Sequence, residues 1–175
     1  MGLRSFSSVV VLAGCALGAS ISSGFSAKDS AATTSGLPVP RYVSLKSDHV
    51  NVRAGPTKDN DVAWVYTRSG LPVEITAEFE NWRRVRDSEG SEGWVYHSLL
   101  SGRRTGVAQS KDKEQLIPLH ASADAKSPVT AQLQQGVLSA VKKCVDGWCR
   151  VSGKGFDGYI EQTHLWGVYP DEKVE

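Results

Sequence analysis

The sequence has few of the residues that catalytic and metal centres use. Its 175 residues include 3 cysteines and 4 histidines. The histidines lie far apart along the chain, and scattered ligands do not make the clustered set that a zinc centre needs. They are His49, His97, His120 and His164. No Ser-His-Asp set, phosphate-binding glycine loop or metal cluster is visible in the sequence, so we expect a protein that is not an enzyme and uses no cofactor or metal.

The chain also lacks an excess of charge of either sign. It has 20 basic and 19 acidic residues, for a formal net charge of +1. Binding to a phosphate backbone needs a clustered basic face. Three arginines do cluster, at positions 83, 84 and 86, but acidic residues surround them: Glu78, Glu80, Asp87, Glu89 and Glu92. We therefore expect no nucleic-acid partner.

The longest apolar stretch is at the N-terminus. It covers 9–21, follows Arg4 and is too short to span a bilayer well. The pattern predicts a signal peptide over 1–27 and export to the periplasm or cell envelope. Small residues near Ser26 indicate cleavage there, whereas the sequence Leu-Ala-Gly-Cys ending at Cys15 resembles a bacterial lipobox. Cleavage near Ser26 gives a soluble product, and lipidation of Cys15 gives a membrane-anchored lipoprotein.

Two polar segments lack the periodicity of strands or helices. Residues 28–40 are rich in Ser, Thr and Ala and predict a flexible tether. Residues 104–113 are charged and poor in apolar side chains, and predict a linker between domains. We expect 171–175 to form a tail.

The rest of the chain contains an internal repeat. Segments 78–83 and 144–149 each predict the tip of a β-hairpin. A Gly-aromatic-aliphatic triplet follows each tip, at 93–95 and 158–160, and the short runs around them alternate with period two and include no long helical pattern. The fold class is therefore all-β, with two small β-barrels in tandem. The first copy covers 41–103, and the second, more degenerate copy covers 114–170.

The first copy resembles the bacterial SH3-like domain family. The resemblance rests on Val-Asn-Val-Arg-Ala-Gly-Pro at 50–56, followed by Gly70, Trp82, Val85 and Gly-Trp-Val at 93–95. The whole chain is similar to short exported proteobacterial proteins with tandem SH3-like domains. This resemblance implies five-stranded barrels, a location in the cell envelope, and binding of peptides or peptidoglycan-type material.

Aromatic residues are the candidate binding residues of the first copy. A Trp that is half exposed at the hairpin tip could form the wall of a groove for an extended peptide, although aromatic residues in small barrels also fill cores. The candidates are Trp64, Tyr66, Trp82, Trp94 and Tyr96. The alternative function is a structural or accessory envelope protein that binds another protein through its barrel faces.

Cys144 and Cys149 flank an Asp-Gly turn in the second copy. Asp-Gly favours a two-residue hairpin turn, which places the two cysteines opposite each other at a non-hydrogen-bonded position, about 4.5 Å apart between Cα atoms. A disulfide fits this geometry in an exported protein. The alternatives are a zinc site using His164, a thiol oxidoreductase and a Cys-His catalytic dyad, but each lacks the further ligands, spacing or domain that it needs.

Overall fold

The computed structural model describes residues 34–112 and 114–175, together with Gly2. The signal peptide predicted over 1–27, the cleavage site near Ser26 and the lipidation of Cys15 lie outside the described residues. Among the described residues, no helix has the length and apolar character needed to cross a membrane.

Seven antiparallel strands form the first copy, in the order β3-β2-β6-β5-β4-β1-β7 across the sheet. A short 3-10 turn at His97–Leu99 joins the last two strands. The strands are β1 (Arg41–Leu45), β2 (Val50–Arg53), β3 (Val62–Tyr66), β4 (Pro72–Phe79), β5 (Trp82–Arg86), β6 (Glu92–Tyr96) and β7 (Leu100–Ser101).

The second copy repeats this topology strand for strand, in the order β10-β9-β13-β12-β11-β8-β14. A 3-10 turn at Gln162–His164 again precedes the last strand. The strands are β8 (Thr105–Ala108), β9 (Ile117–His120), β10 (Val129–Leu133), β11 (Leu138–Val145), β12 (Trp148–Gly153), β13 (Phe156–Glu161) and β14 (Leu165–Trp166). The predicted all-β tandem repeat is confirmed.

Two details of the strands differ from the sequence predictions. Each copy has seven strands rather than five, because β1 and the two-residue β7 join the sheet, as β8 and β14 do in the second copy. The predicted linker over 104–113 is wrong for its first half, since β8 pairs with β11 and β14 there. A four-residue strand among charged neighbours gives little periodic signal, which is why it was missed.

Each sheet surrounds an apolar core of its own, supplied by alternate residues of its strands. Leu45 and Ile75 are the largest fully buried side chains of the first core, and Ile117, Leu119 and Ile160 are those of the second. The two cores are separate clusters, so each copy is organised as a small domain.

A disulfide between Cys144 and Cys149 closes the second hairpin, as predicted, with the Cα atoms 4.1 Å apart. Asp146 and Gly147 have φ angles of 50° and 79°, the left-handed conformation that the two-residue turn requires. The backbone N–H and C=O of Cys144 bond to Val174 and not to Cys149. The pair therefore occupies the non-hydrogen-bonded position, and both side chains lie in the core.

The C-terminal segment, residues 166–175, does not end in a loose tail. Val174 is buried and pairs with Cys144, and Arg104 binds Glu172 through two hydrogen bonds of 2.6 and 3.0 Å. Gln162 also donates to the Glu172 carbonyl, at 2.7 Å. The prediction of a tail over 171–175 is therefore wrong, because an edge of β11 and two polar side chains hold these residues against the second copy.

The C-terminal segment also joins the two copies. Tyr42 of β1 packs edge-on against Trp166, with ring centroids 5.2 Å apart, and lies 4.7 Å from the ring of Tyr169. The Tyr169 hydroxyl donates to Oε1 of Glu74 at 2.8 Å, while Arg86 donates to Oε2 of the same carboxylate. Glu74 is only 3% exposed, so its charge is buried with partners from both copies.

The backbone at position 167 requires glycine. Its φ is +118°, and a Cβ there would lie 2.3 Å from the Thr105 carbonyl oxygen of the same copy and 3.1 Å from the Pro72 side chain of the first copy. Any other residue would collide with the backbone of β8 and would also press on Pro72 at the contact between the copies.

Replacing Cys144 and Cys149 together by alanine should lower the free energy of unfolding by about 2 kcal/mol, because the bridge constrains a short ring in the unfolded chain. Urea unfolding of the variant and the wild type measures this difference. Wild-type protein unfolded in reductant is the matched control and should show a similar loss. Equal urea midpoints with and without the bridge would contradict the prediction.

Candidate functional site

The five candidate aromatic residues lie on two different faces of the first copy. Trp64 and Tyr66 stand opposite Val52 and Val50 in the sheet register and pack against the core. The Tyr66 hydroxyl donates to Asp87 at 3.0 Å; burial, followed by the charge of Asp87, raises the pKa of Tyr66. These two residues share a face, but it is the core face of β3.

The other three aromatic residues lie on the outer face of β5 and β6. Trp82 stands opposite Tyr96, and Trp94 stands opposite Arg84. The rings of Trp82 and Tyr96 meet edge to face, with centroids 5.4 Å apart. Trp82 is only 8% exposed, not half exposed as expected, because neighbouring residues such as Tyr96 cover its ring.

Trp82 and Tyr96 line a groove of about 290 Å³. Strands β2, β5 and β6, the loop after β2 and the 3-10 turn after β6 all contribute to its walls. The other lining residues are Asn51, Arg53, Lys58, Ser98 and Leu99. Neither Trp64, Tyr66 nor Trp94 lines this groove, so the structure brings together two of the five candidates.

The groove combines an aromatic wall with positive charge. Nη1 of Arg53 donates to the Asn60 carbonyl at 2.6 Å, which holds the arginine in the groove wall. Neither Arg53 nor Lys58 forms an ion pair with a carboxylate among residues 34–112 and 114–175. These cations are available to an anionic group on a ligand, beside flat surfaces that suit apolar or amide groups.

Sequence reasoning missed Asn51, Arg53 and Lys58 as groove residues. The alternating pattern at 50–53 does indicate that two of them face outward, because the two valines of this segment belong to the core. Asn51 and Arg53 must then point outward, on the face that carries Tyr96. Lys58 lies in a loop, where no periodicity predicts its direction.

The second copy has different residues at the positions that correspond to the groove of the first copy. Glu161 stands opposite Trp148, where Tyr96 stands opposite Trp82 in the first copy. Pro118 is the second residue of β9, as Asn51 is of β2. Trp148 instead packs edge-on against His120, with ring centroids 5.4 Å apart. His120 is the last residue of β9, as Arg53 is of β2. Glu161 therefore replaces Tyr96, and His120 replaces Arg53.

Comparison with known protein families identifies both copies. The family model described as "Bacterial SH3 domain" matches residues 46–102 and again residues 113–167. The chain belongs to the bacterial SH3 domain family. The first and second copies are therefore two SH3 domains in tandem, and bacterial SH3 domains are binding modules.

Solved structures similar to this tandem SH3 protein include two from Trichomonas vaginalis. NlpC2 is 14% identical with a TM-score of 0.32, and the match covers 73% of this chain and 48% of that chain. NlpC1 is 15% identical with a TM-score of 0.32, covering 73% and 45%. The tandem SH3 protein thus spans about half the length of these chains. No curated protein matches it.

The hairpin tip of the first SH3 domain holds a buried carboxylate. Glu78 faces Arg83 across the hairpin as predicted, with 3.1 Å between Oε1 and Nε, and its side chain is 1% exposed. Arg41 and Ser35 add hydrogen bonds of 2.6 Å and 2.7 Å. Ser35, in the predicted tether, therefore contacts the SH3 domain. Burial raises the pKa of Glu78, but these hydrogen bonds outweigh it and lower the pKa to about 2.

Glu78→Gln should make the stability of the folded protein less dependent on pH. A carboxylate whose pKa is lowered by folding stabilises the protein above its unfolded pKa of about 4.3, and this contribution is lost as the pH falls toward 2. The difference in urea midpoint between wild type and variant should be largest above about pH 5 and shrink toward pH 2. Glu80→Gln, at the exposed end of the same hairpin, is the matched control. A difference that stays constant across this range would contradict the assignment.

Proposed function

We propose that this protein is an exported, non-enzymatic binding module of the bacterial cell envelope, and that the groove of its first copy recognises a peptide or peptidoglycan-type ligand. The proposal of export rests on the signal peptide predicted over 1–27. The choice of binding site rests on the groove between Trp82 and Tyr96.

The chemistry of the groove supports an extended ligand that carries a carboxylate. Its shape is shallow and open, and its walls combine two aromatic rings, an amide, a hydroxyl and the free cations of Arg53 and Lys58. Peptides bind SH3-type folds as extended chains against aromatic walls. A short peptide with free carboxylates offers amide planes for the rings and charge for the cations.

The contrast between the copies also supports this assignment. With Glu161 and Pro118 in place of Tyr96 and Asn51, the second copy presents an acid where the first presents an aromatic ring. A carboxylate-bearing ligand would meet repulsion there. The first copy is therefore the binding copy, and the second copy supports it.

Tyr96→Ala should reduce retention on purified peptidoglycan about five- to thirtyfold, because truncating one aromatic wall of a groove typically costs 1–2 kcal/mol. Retention of the purified protein in a pull-down measures the effect. Tyr159→Ala on the outer face of the second copy is the matched control and should retain the ligand normally.

Charge reversal distinguishes binding in the groove from nonspecific adhesion. Lys58→Glu should weaken retention, whereas Lys126→Glu, in the corresponding loop of the second copy, should not. Retention of wild-type protein no better than that of an unrelated β-protein would refute the peptidoglycan ligand. If an envelope protein then co-purified through the same groove residues, the alternative function as an accessory protein would replace this proposal.

A further inference from the structure

A second cavity lies between the two copies, away from the groove. This interdomain cleft has a volume of about 350 Å³. Its walls come from β1 and the β3–β4 loop of the first copy, the connection between copies, and β8, β11 and β12 of the second copy. Neither copy forms the cleft alone, so its presence depends on how the two domains pack.

Contacts between the copies fix the walls of the cleft. The Thr105 hydroxyl donates to the Gly70 carbonyl at 2.7 Å, and Arg68 donates to the Gly136 carbonyl at 3.2 Å. Within the second copy, the Ser139 hydroxyl donates to the Gly106 carbonyl at 3.2 Å. A wall held by hydrogen bonds on both sides is preorganised, which lowers the entropy cost of binding.

A serine of the first copy supplies part of the cleft wall. Ser44 is 1% exposed and lines the cleft, while its neighbours Val43 and Leu45 contact the core. Because successive side chains of a strand point to opposite faces, the Ser44 side chain points away from that core. A hydroxyl both donates and accepts hydrogen bonds, so this wall suits a polar ligand group.

The lining of the cleft is positive and rich in hydroxyls. Lys46 and Arg103 are exposed at its rim, and neither forms an ion pair with a carboxylate within residues 34–112 and 114–175. No acidic residue is among the described residues that line it. Ser101 and Ser152 add hydroxyl groups beside Ser44. Two cations and several hydroxyls form a surface that complements an anion carrying hydroxyl groups of its own.

We propose that the interdomain cleft binds a compact hydroxylated anion, of the chemical class of a sugar acid or a sugar phosphate. The volume is near the lower end for small-molecule sites, about 300–1,000 Å³, and fits a single sugar unit. In this arrangement, Lys46 and Arg103 bind the anionic group while Ser44 and its neighbours bind the ring hydroxyls. This proposal does not rest on the groove of the first copy.

An NMR titration of the intact two-domain protein tests this proposal, with glucuronate and glucose 6-phosphate as probes. Both should produce saturable shifts of the backbone amides at 44–46, 69–70 and 138–140, at up to about 20 mM, since a single sugar unit binds in the millimolar range. Glucose, which lacks the charge, and inorganic phosphate, which lacks the ring hydroxyls, should each bind more weakly.

Variants test the assigned residues. Lys46→Ala and Arg103→Ala should each weaken binding about two- to fivefold, as expected for one exposed charge pair, and Ser44→Ala should weaken glucuronate without changing the affinity for phosphate. Lys126→Ala is the charge-matched control, and Tyr96→Ala in the groove should bind normally. Shifts confined to the groove, no localised shifts, or equal affinity for phosphate and both sugar probes would overturn the proposal. Loss of binding in Tyr96→Ala would also overturn it, since the ligand would then occupy the groove.

Discussion

The arrangement of the molecule depends on the burial of the Glu74 carboxylate between the two copies. Only 3% of this residue is exposed, and a buried charge is stable only when it is paired. Arg86 of the first copy and Tyr169 of the second supply the partners. The Tyr169 hydroxyl is protonated at neutral pH and can donate, and burial, followed by the hydrogen bond to Glu74, raises its pKa further. The hydrogen bond needs the C-terminal segment docked and the two copies in contact.

This one contact connects features that are distant in sequence. Tyr169 reaches Glu74 because Arg104 and Gln162 hold Glu172, and because Val174 pairs with the disulfide-linked Cys144. The strand that carries the disulfide therefore also pairs with the segment that joins the copies. The interdomain cleft follows from the same packing, whereas the groove of the first copy lies on another face. The two copies thus differ in the residues of this outer face, and together they form a cleft that neither has alone.

Sequence patterns predicted the parts of this structure that local chemistry decides. The Asp146-Gly147 turn fixes the hairpin register and hence the disulfide, and the matched Gly-aromatic-aliphatic triplets predict the repeat. Long-range packing decided the rest. Trp64 and Tyr66 are assigned to the core face only when the pairing of β3 with β2 is known. Nothing in the sequence around Glu74 indicates that a tyrosine 95 residues later will bind it. Strand β8 was missed because four residues are too few for a periodic signal.

The contacts of Glu74, Tyr42 and Tyr169 predict that the two copies form one rigid unit. Backbone 15N relaxation of the intact protein tests it most directly, because it measures the rotational correlation time of each copy separately. The packing predicts a single correlation time, shared by residues 41–101 and 105–174 and appropriate to the combined mass. Two shorter and unequal times, one for each copy, would show that the domains tumble independently and would contradict the account.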